Sequence, residues 1–182
     1  MKPNSVGCEA PNILPVQISI RKASVKDALG IAVVKAYTWQ TSYTGLLPEA
    51  ILQDKIEHIR TKEQLLKKNI ETNGNFLVAL IEETVVGFAC YGASRNEQYE
   101  NDGEIAALYV LKGFQRLGIG KKLLTACTEE FRKNGLSHFI LNCLRGNLSL
   151  GFYTEMGGSP VGSRQDTLFG TPVTEDILRF AL

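Results

Sequence analysis

The six residues Gln115-Arg116-Leu117-Gly118-Ile119-Gly120 constrain this chain more than any other segment. They follow an apolar run, Ile105 to Leu111, and open a helix-like stretch ending near Asn134, with Leu123, Leu124, Cys127 and Phe131 on one face. Ser137 to Leu144 then reads as a further strand. Strand, helix and strand in that order make one βαβ crossover, expected to be right-handed. Where a strand passes through glycine into a helix N-terminus, the first helical N–H groups lack intrahelical partners and the helix dipole favours negative charge. Glycine also removes the Cβ that would hold a phosphate away from the backbone. The segment is therefore expected to hold a phosphate-bearing ligand.

Two common phosphate motifs are excluded. Gly113 and Gly118 have the glycine spacing of a Walker A loop, but Ile119 and Gly120 stand where Lys and Ser/Thr are needed. Gly118 and Gly120 begin a dinucleotide fingerprint, but Leu123 replaces its third glycine. What remains is Q-x-x-G-x-G after a strand.

The rest of the chain reads as alternating elements. Gln17 to Arg21 is expected as a first strand. Ser24 caps a helix over Val25 to Gln40, and helices follow over Glu49–Arg60 and Thr61–Thr72, the latter with Thr61 and Gln64 as a capping box. Phe76–Ile81 and Val85–Ser94 form an antiparallel hairpin across Glu82-Glu83-Thr84. Arg95 to Gly103 is a loop, and Glu104 to Leu111 is the strand before the glycine segment. Leu148–Met156 is a short helix after Asn147. Val161–Leu168 and Val173–Ala181 are two closing strands joined near Phe169-Gly170.

Composition narrows the partners. The 182 residues fit one domain, and 20 basic against 19 acidic residues argue against a dedicated nucleic-acid surface. Cys8, Cys90, Cys127 and Cys143 show no metal-binding spacing, and three of them lie in apolar stretches, which suits a reducing cytoplasm. No apolar run reaches the 18 residues of a membrane span. Met1 to Pro15 lacks the apolar centre of a signal peptide and reads as a flexible extension.

Four segments together resemble the GNAT superfamily, the Gcn5-related N-acetyltransferases. They are Gln115–Gly120; the preceding strand Glu104-Ile105-Ala106-Ala107-Leu108-Tyr109-Val110; Asn147-Leu148-Ser149-Leu150-Gly151-Phe152-Tyr153 with Met156-Gly157-Gly158; and Trp39-x-x-x-Tyr43-x-Gly45-Leu46-Leu47-Pro48. Leu150, Gly151 and the end of the last strand depart from the usual pattern. The resemblance implies an α/β fold, a mixed, mostly antiparallel sheet of 6–7 strands with helices on both faces, in one domain over residues 16–182. It implies acetyl-CoA (coenzyme A) as co-substrate, held by Leu108, Val110, Gln115, Arg116, Leu117, Gly118, Ile119, Gly120, Lys121, Asn147 and Tyr153. No nucleic acid, membrane or metal is expected, and a homodimer is compatible with it.

Two residues carry the expected catalysis. Glu104 stands six strand residues before Val110, about 20 Å from the pyrophosphate end, which is the reach of an extended pantetheine arm. In the family the corresponding glutamate is a general base; a water relay or a solvated acidic loop with Glu100 and Asp102 are the alternatives. The resemblance places Tyr153 beside the sulfur, where a phenol of pKa about 10 hydrogen-bonds a thiolate of pKa about 8.5 rather than fully protonating it. Core packing beside Phe152 is the alternative. Asn147 suits a helix cap as well as a coenzyme contact. Lys112, Arg116, Lys121 and Lys122 can meet phosphates. Trp39, Tyr43 and Tyr37 can border an amine acceptor. Cys143 has no paired histidine and reads as core. The chain is thus expected to transfer acetyl groups to a primary amine, with an acyl-CoA sensor of the same fold or a nucleotide binder as rivals. A protein N-terminus, a polyamine, an antibiotic and an amino acid all remain open as acceptor.

Overall fold

The computed structural model describes residues 16–182, so the expected extension over Met1–Pro15 lies outside the described residues. Seven strands form one sheet in the order β1-β2-β3-β4-β5-β7-β6. They are β1 Ile18–Lys22, β2 Phe76–Ile81, β3 Thr84–Ala93, β4 Gly103–Val110, β5 His138–Leu144, β6 Ser159–Leu168 and β7 Thr171–Ala181. Five helices accompany them: α1 Ala28–Ser42, α2 Glu49–Glu57, α3 Ile59–Asn73, α4 Ile119–Lys133 and α5 Ser149–Glu155. Every neighbouring pair is antiparallel except β4 and β5. The expected α/β architecture is present, with its single βαβ unit at β4-α4-β5.

The helix boundaries need correction. A tight turn over Val25–Asp27 precedes α1, and the Ser24 N–H donates to the Asp27 carboxylate at 2.7 Å. The second and third helices part at His58 rather than at Thr61. The His58 ring nitrogen lies 2.9 Å from the Asp54 carboxylate and its backbone leaves helical geometry at φ −100°, ψ 18°. Thr61 therefore falls inside α3, and the expected capping box with Gln64 has no helix end to close.

Alternation in β2 divides the core. Phe76, Val78 and Leu80 meet Ile31, Val34 and Ile70 of α1 and α3. Leu77 and Ala79 meet the stripe Leu123, Leu124, Cys127 and Phe131 of α4. Both faces of the strand are covered, which explains its unbroken apolar sequence. Gly103 matters here: a Cβ on it would lie 2.6 Å from the Phe131 ring, so a glycine lets α4 approach β4.

Two irregularities in β4 create space for a ligand. Cys90 pairs with Ala107 and Tyr91 with Ile105, leaving Ala106 as an extra residue. Such a bulge reverses the alternation of side chains. Ile105 therefore joins Leu108 and Val110 against α4. Glu104 is turned to the α1 side, with Ala107 and Tyr109. The ladder between β4 and β5 runs only from Gly103↔Phe139 to Ile105↔Leu141. Beyond it the strands diverge, while β5 stays paired with β7 as far as Leu144↔Glu175. The sheet forks between Ala106–Val110 and Asn142–Leu144.

Candidate active site

The fork opens into a cavity of about 660 Å³. Its walls are β4 from Ile105 to Val110, β5 from Leu141 to Leu144, and the glycine loop with Gln115, Arg116, Gly118, Gly120 and Lys121. Thr38, Ser42 and Tyr43 close it from α1, and Asn147, Leu148, Phe152 and Tyr153 from the α5 side.

The glycine loop is held by its own backbone. Gln115 Nε2 donates to the Val110 carbonyl at 3.1 Å, tying the loop to the end of β4. Arg116 and Gly118 both adopt positive φ, 65° and 78°. For Arg116 that conformation costs on the order of 1 kcal/mol. Lys122 supplies the first helical amide with a partner, donating to Gly118 O at 3.0 Å. The N–H groups of Ile119, Gly120 and Lys121 precede that first bond and remain free for an anion. A Cβ on Gly120 would sit 3.2 Å from Phe152 Cζ, so glycine here lets α5 pack over the start of α4.

Not every expected coenzyme residue faces the cavity. Leu108, Val110, Gln115, Arg116, Gly118, Gly120, Lys121, Asn147 and Tyr153 line it. Leu117 does not, and points outward. Ile119 does not either, being packed in the core beneath α4. Asn147 Oδ1 accepts from the Ser149 N–H at 2.8 Å while its residue lines the cavity, so it fixes the start of α5 and borders the site at once.

Tyr153 is buried in the fork. Burial, followed by nearby Cys143 and Tyr109, pushes its phenol pKa well above the ordinary value. It is a fixed O–H donor at neutral pH. Cys143 is also raised by burial, to about 11, so it is a thiol and not a nucleophilic thiolate.

Glu104, expected as a base, is held in an ion pair with Arg95. The carboxylate is buried and outside the cavity wall. It accepts from the Arg95 backbone N–H at 2.8 Å, from Arg95 Nε at 3.1 Å and from Arg95 NH2. Burial pushes its pKa up, but the side chain and amide of Arg95 outweigh this and hold it below the usual glutamate value. Occupied oxygens and lowered basicity both oppose proton abstraction. The bulge at Ala106 turns Glu104 to the α1 side, where Arg95 holds it. The neighbouring Asp102 is likewise no solvated loop residue: Arg179 grips it through Nε at 2.7 Å and NH2 at 3.1 Å.

The aromatic residues after α1 divide by role. Tyr37 is exposed and away from the cavity. Trp39 is buried, with its indole N–H 3.1 Å from Tyr109 Oη. Tyr43 lines the cavity, with its Oη 3.2 Å from the same Tyr109 oxygen. Burial and neighbouring phenols raise the pKa of Tyr43, and burial raises that of Tyr109.

Sequence reasoning missed Thr38 and Asn142. Both line the cavity, and Thr38 Oγ1 and Asn142 Oδ1 are buried with no hydrogen-bond partner among the described residues. An unpaired buried polar atom costs about 1–3 kcal/mol, so a polar residue kept in such a place calls for a partner from outside the chain. Asn142 carried a signal: it interrupts the apolar run Ile140-Leu141-Cys143-Leu144. Thr38, between Tyr37 and Trp39, carried none.

Comparison with known proteins agrees with this geometry. Residues 35–157 match the model of the acetyltransferase (GNAT) family. An uncharacterized N-acetyltransferase of Bacillus subtilis, YuaI, is 32% identical over 137 residues, covering 75% of this chain and 77% of its own. A spermidine N(1)-acetyltransferase of Thermoplasma acidophilum is 28% identical over 141 residues, covering 75% and 84%. The crystal structure of the PaiA N-acetyltransferase of Thermoplasma acidophilum in complex with coenzyme A superposes with a TM-score of 0.72 at 24% identity, over 91% of this chain and 99% of that one.

Proposed function

The chain belongs to the GNAT family of acetyltransferases, and from that premise we propose that it moves the acetyl group of acetyl-CoA directly to a primary amine. The observation that carries this reading is the fork itself: one continuous cavity joins the anion-ready amides at the start of α4 to the buried hydroxyl of Tyr153.

The residues fit coenzyme A. The free amides of Ile119–Lys121 and the cations Arg116 and Lys121 suit its phosphates. The diverging edges of β4 and β5 suit an extended arm with amide groups, and Leu108 and Val110 give that arm an apolar wall. Coenzyme A supplies the acetyl group as an activated thioester. Tyr153 holds its proton and donates a hydrogen bond to the departing sulfur; its raised pKa makes complete transfer to the sulfur less favourable than for an ordinary phenol. Glu104 is left out of the proton path. The domain covers residues 16–182 in this reading.

The decisive test pairs calorimetric binding of coenzyme A with thiol release in the presence of mixed amines. Binding with amine-dependent release supports an enzyme. Binding without release by any amine class points to an acyl-CoA sensor, and ATP binding in place of coenzyme A removes the reading altogether.

A further inference from the structure

The two edges of the sheet are built differently. One edge is β1, five residues long and ending on Arg21 and Lys22. The other is β6, ten residues long and hydrogen-bonded on one side only, to β7. Short length and basic residues blunt an edge against pairing with another chain. On β6, Pro160 and the irregularity at Val161 interrupt only its beginning, and no proline or lysine stands between Gly162 and Leu168.

The turn fixes which backbone groups of β6 are free. Phe169 and Gly170 both have positive φ, 52° and 81°, between the paired residues Leu168 and Thr171. In a two-residue hairpin of this kind the flanking pair exchanges hydrogen bonds, so Leu168, Asp166, Arg164 and Gly162 direct their N–H and C=O groups at β7. Ser163, Gln165 and Thr167 direct theirs outward. Two details agree. Pro172, which has no N–H, stands opposite Thr167, where no ladder bond to β6 is needed. The Thr167 amide is occupied by a side chain, the Asp166 carboxylate at 2.7 Å, and not by β7.

Charge then selects one way of pairing this edge with itself. Two antiparallel copies must set outward-directed residues opposite outward-directed residues. Setting Ser163 opposite Gln165 places Arg164 of one copy against Arg164 of the other. Setting Gln165 opposite Thr167 places Asp166 against Asp166. Both juxtapose like charges and are disfavoured. With Gln165 opposite Gln165, Ser163 meets Thr167, and Arg164 of each copy meets Asp166 of the other. Opposite charges then face each other twice across a two-fold axis. At its ends the same register brings the exposed Val161 of one copy near the exposed Phe169 of the other. Arg164 already lies 2.7 Å from Glu175 and 3.4 Å from its own Asp166, so its guanidinium is aligned along this row.

We infer that the outer edge of β6 pairs with β6 of a second copy of this chain, antiparallel and with Gln165 opposite Gln165. Two seven-stranded sheets then continue into one. On pairing, the Thr167 N–H exchanges the Asp166 carboxylate for the Ser163 carbonyl of the other copy, and Asp166 turns to the facing Arg164. The inference goes beyond acetyl transfer and does not depend on it, because no residue of β6 lines the cavity.

Sedimentation velocity from about 1 to 100 μM should show a monomer–dimer equilibrium, the range suited to an edge contact smaller than a standard interface. Gln165→Pro removes an outward N–H, a place where an edge strand tolerates proline, and should weaken association by about tenfold or more without loss of coenzyme A binding. Asp166→Arg and Arg164→Glu each leave like charges facing across the axis, and each should also weaken association by about tenfold or more. Mixed in equal amounts, these two variants should associate again, since each then faces its opposite. Thermal unfolding checks each variant; if Arg164→Glu, which also faces Glu175, does not fold, Gln165→Pro and Asp166→Arg decide alone. A wild type that stays monomeric to about 100 μM overturns the inference, whether the edge stays free or takes an unrelated peptide. A dimer that Gln165→Pro and Asp166→Arg leave intact, or two folded charge variants that fail to associate when mixed, overturns it as well. Each of these results leaves the proposed acetyl transfer untouched.

Discussion

Tyr43 and Tyr109 share a hydrogen bond of 3.2 Å between their hydroxyl oxygens, and Trp39 Nε1 approaches the Tyr109 oxygen at 3.1 Å. An indole N–H can only donate, so Tyr109 accepts from it. Either hydroxyl can be the donor between Tyr43 and Tyr109, and both residues line the cavity. The two hydroxyls are nevertheless separable by experiment, because only Tyr109 also holds Trp39. Tyr109→Phe strands the Trp39 donor and should destabilise the fold by about 1–3 kcal/mol. Tyr43→Phe leaves the Trp39 contact in place and should cost less stability while raising the acceptor KM. Chemical denaturation and steady-state kinetics of both variants check this; equal stability losses would show that the Trp39 contact adds nothing to the role of Tyr109.

The glycine loop should be intolerant of side chains. Gly118 lies at φ 78°, and Gly118→Asp imposes backbone strain and places a negative charge among amides suited to phosphate. Loss of about 100-fold or more in coenzyme A affinity is expected, near 2.7 kcal/mol. Calorimetry showing wild-type affinity would mean that phosphate binds elsewhere.

Tyr153→Phe keeps the ring and removes the donor. Turnover should fall by about ten- to ten-thousand-fold with coenzyme A affinity nearly unchanged. A folded variant with wild-type kcat takes Tyr153 out of the reaction.

Glu104→Gln should act on stability before it acts on rate. It removes the negative partner of Arg95 from a buried position, at a cost of about 1–3 kcal/mol after allowance for the exposed arginine. The rate measured on folded protein should show no deficit confined to neutral pH. Rate profiles from pH about 6 to 10 decide it: a defect that disappears as the acceptor deprotonates itself would restore Glu104 as base.

Acid stability depends on Glu130. Its carboxylate lies 2.7 Å from Lys133 Nζ and 2.9 Å from Lys22 Nζ, and accepts from Tyr91 Oη at 3.2 Å. Lys133 and Lys22 outweigh desolvation and lower the pKa to about 2. A depressed folded pKa gives stability that is complete above the unfolded glutamate value of about 4.3 and is lost as pH falls toward 2. The stability difference between wild type and Glu130→Gln should therefore be constant above pH about 5 and shrink below about 4. A difference that does not vary with pH would show that Glu130 contributes through packing alone.

The features legible in sequence were those written in a local code. Gly118 and Gly120 announce a backbone anion site because glycine is the residue such a turn requires, and the apolar stripe from Leu123 to Phe131 announces the helix that follows. The strands were legible from their runs of apolar residues. The fate of Glu104 was not legible, because it depends on the register of β4 against β3. One unmatched residue, Ala106, decides which face the carboxylate takes, and a bulge exists only relative to a partner strand. Its ion-pair partner Arg95 lay in a segment read merely as loop. Thr38 and Asn142 meet at one cavity from opposite ends of the chain, which no spacing rule connects. The break at His58 turned on an Asp54 contact, while Thr61 and Gln64 offered a stronger but unused local signal.

The short ladder between β4 and β5 has a mechanical consequence. Three register positions, Gly103 to Ile105, join a block of strands β1–β4 to a block of β5–β7. The sheet behaves as two plates sharing a narrow seam, and a long ligand seated in the gap acts as a brace across it. Saturation with coenzyme A should then stiffen the plates against each other as well as fill the cavity. Slowed amide exchange would extend along β5 into β7.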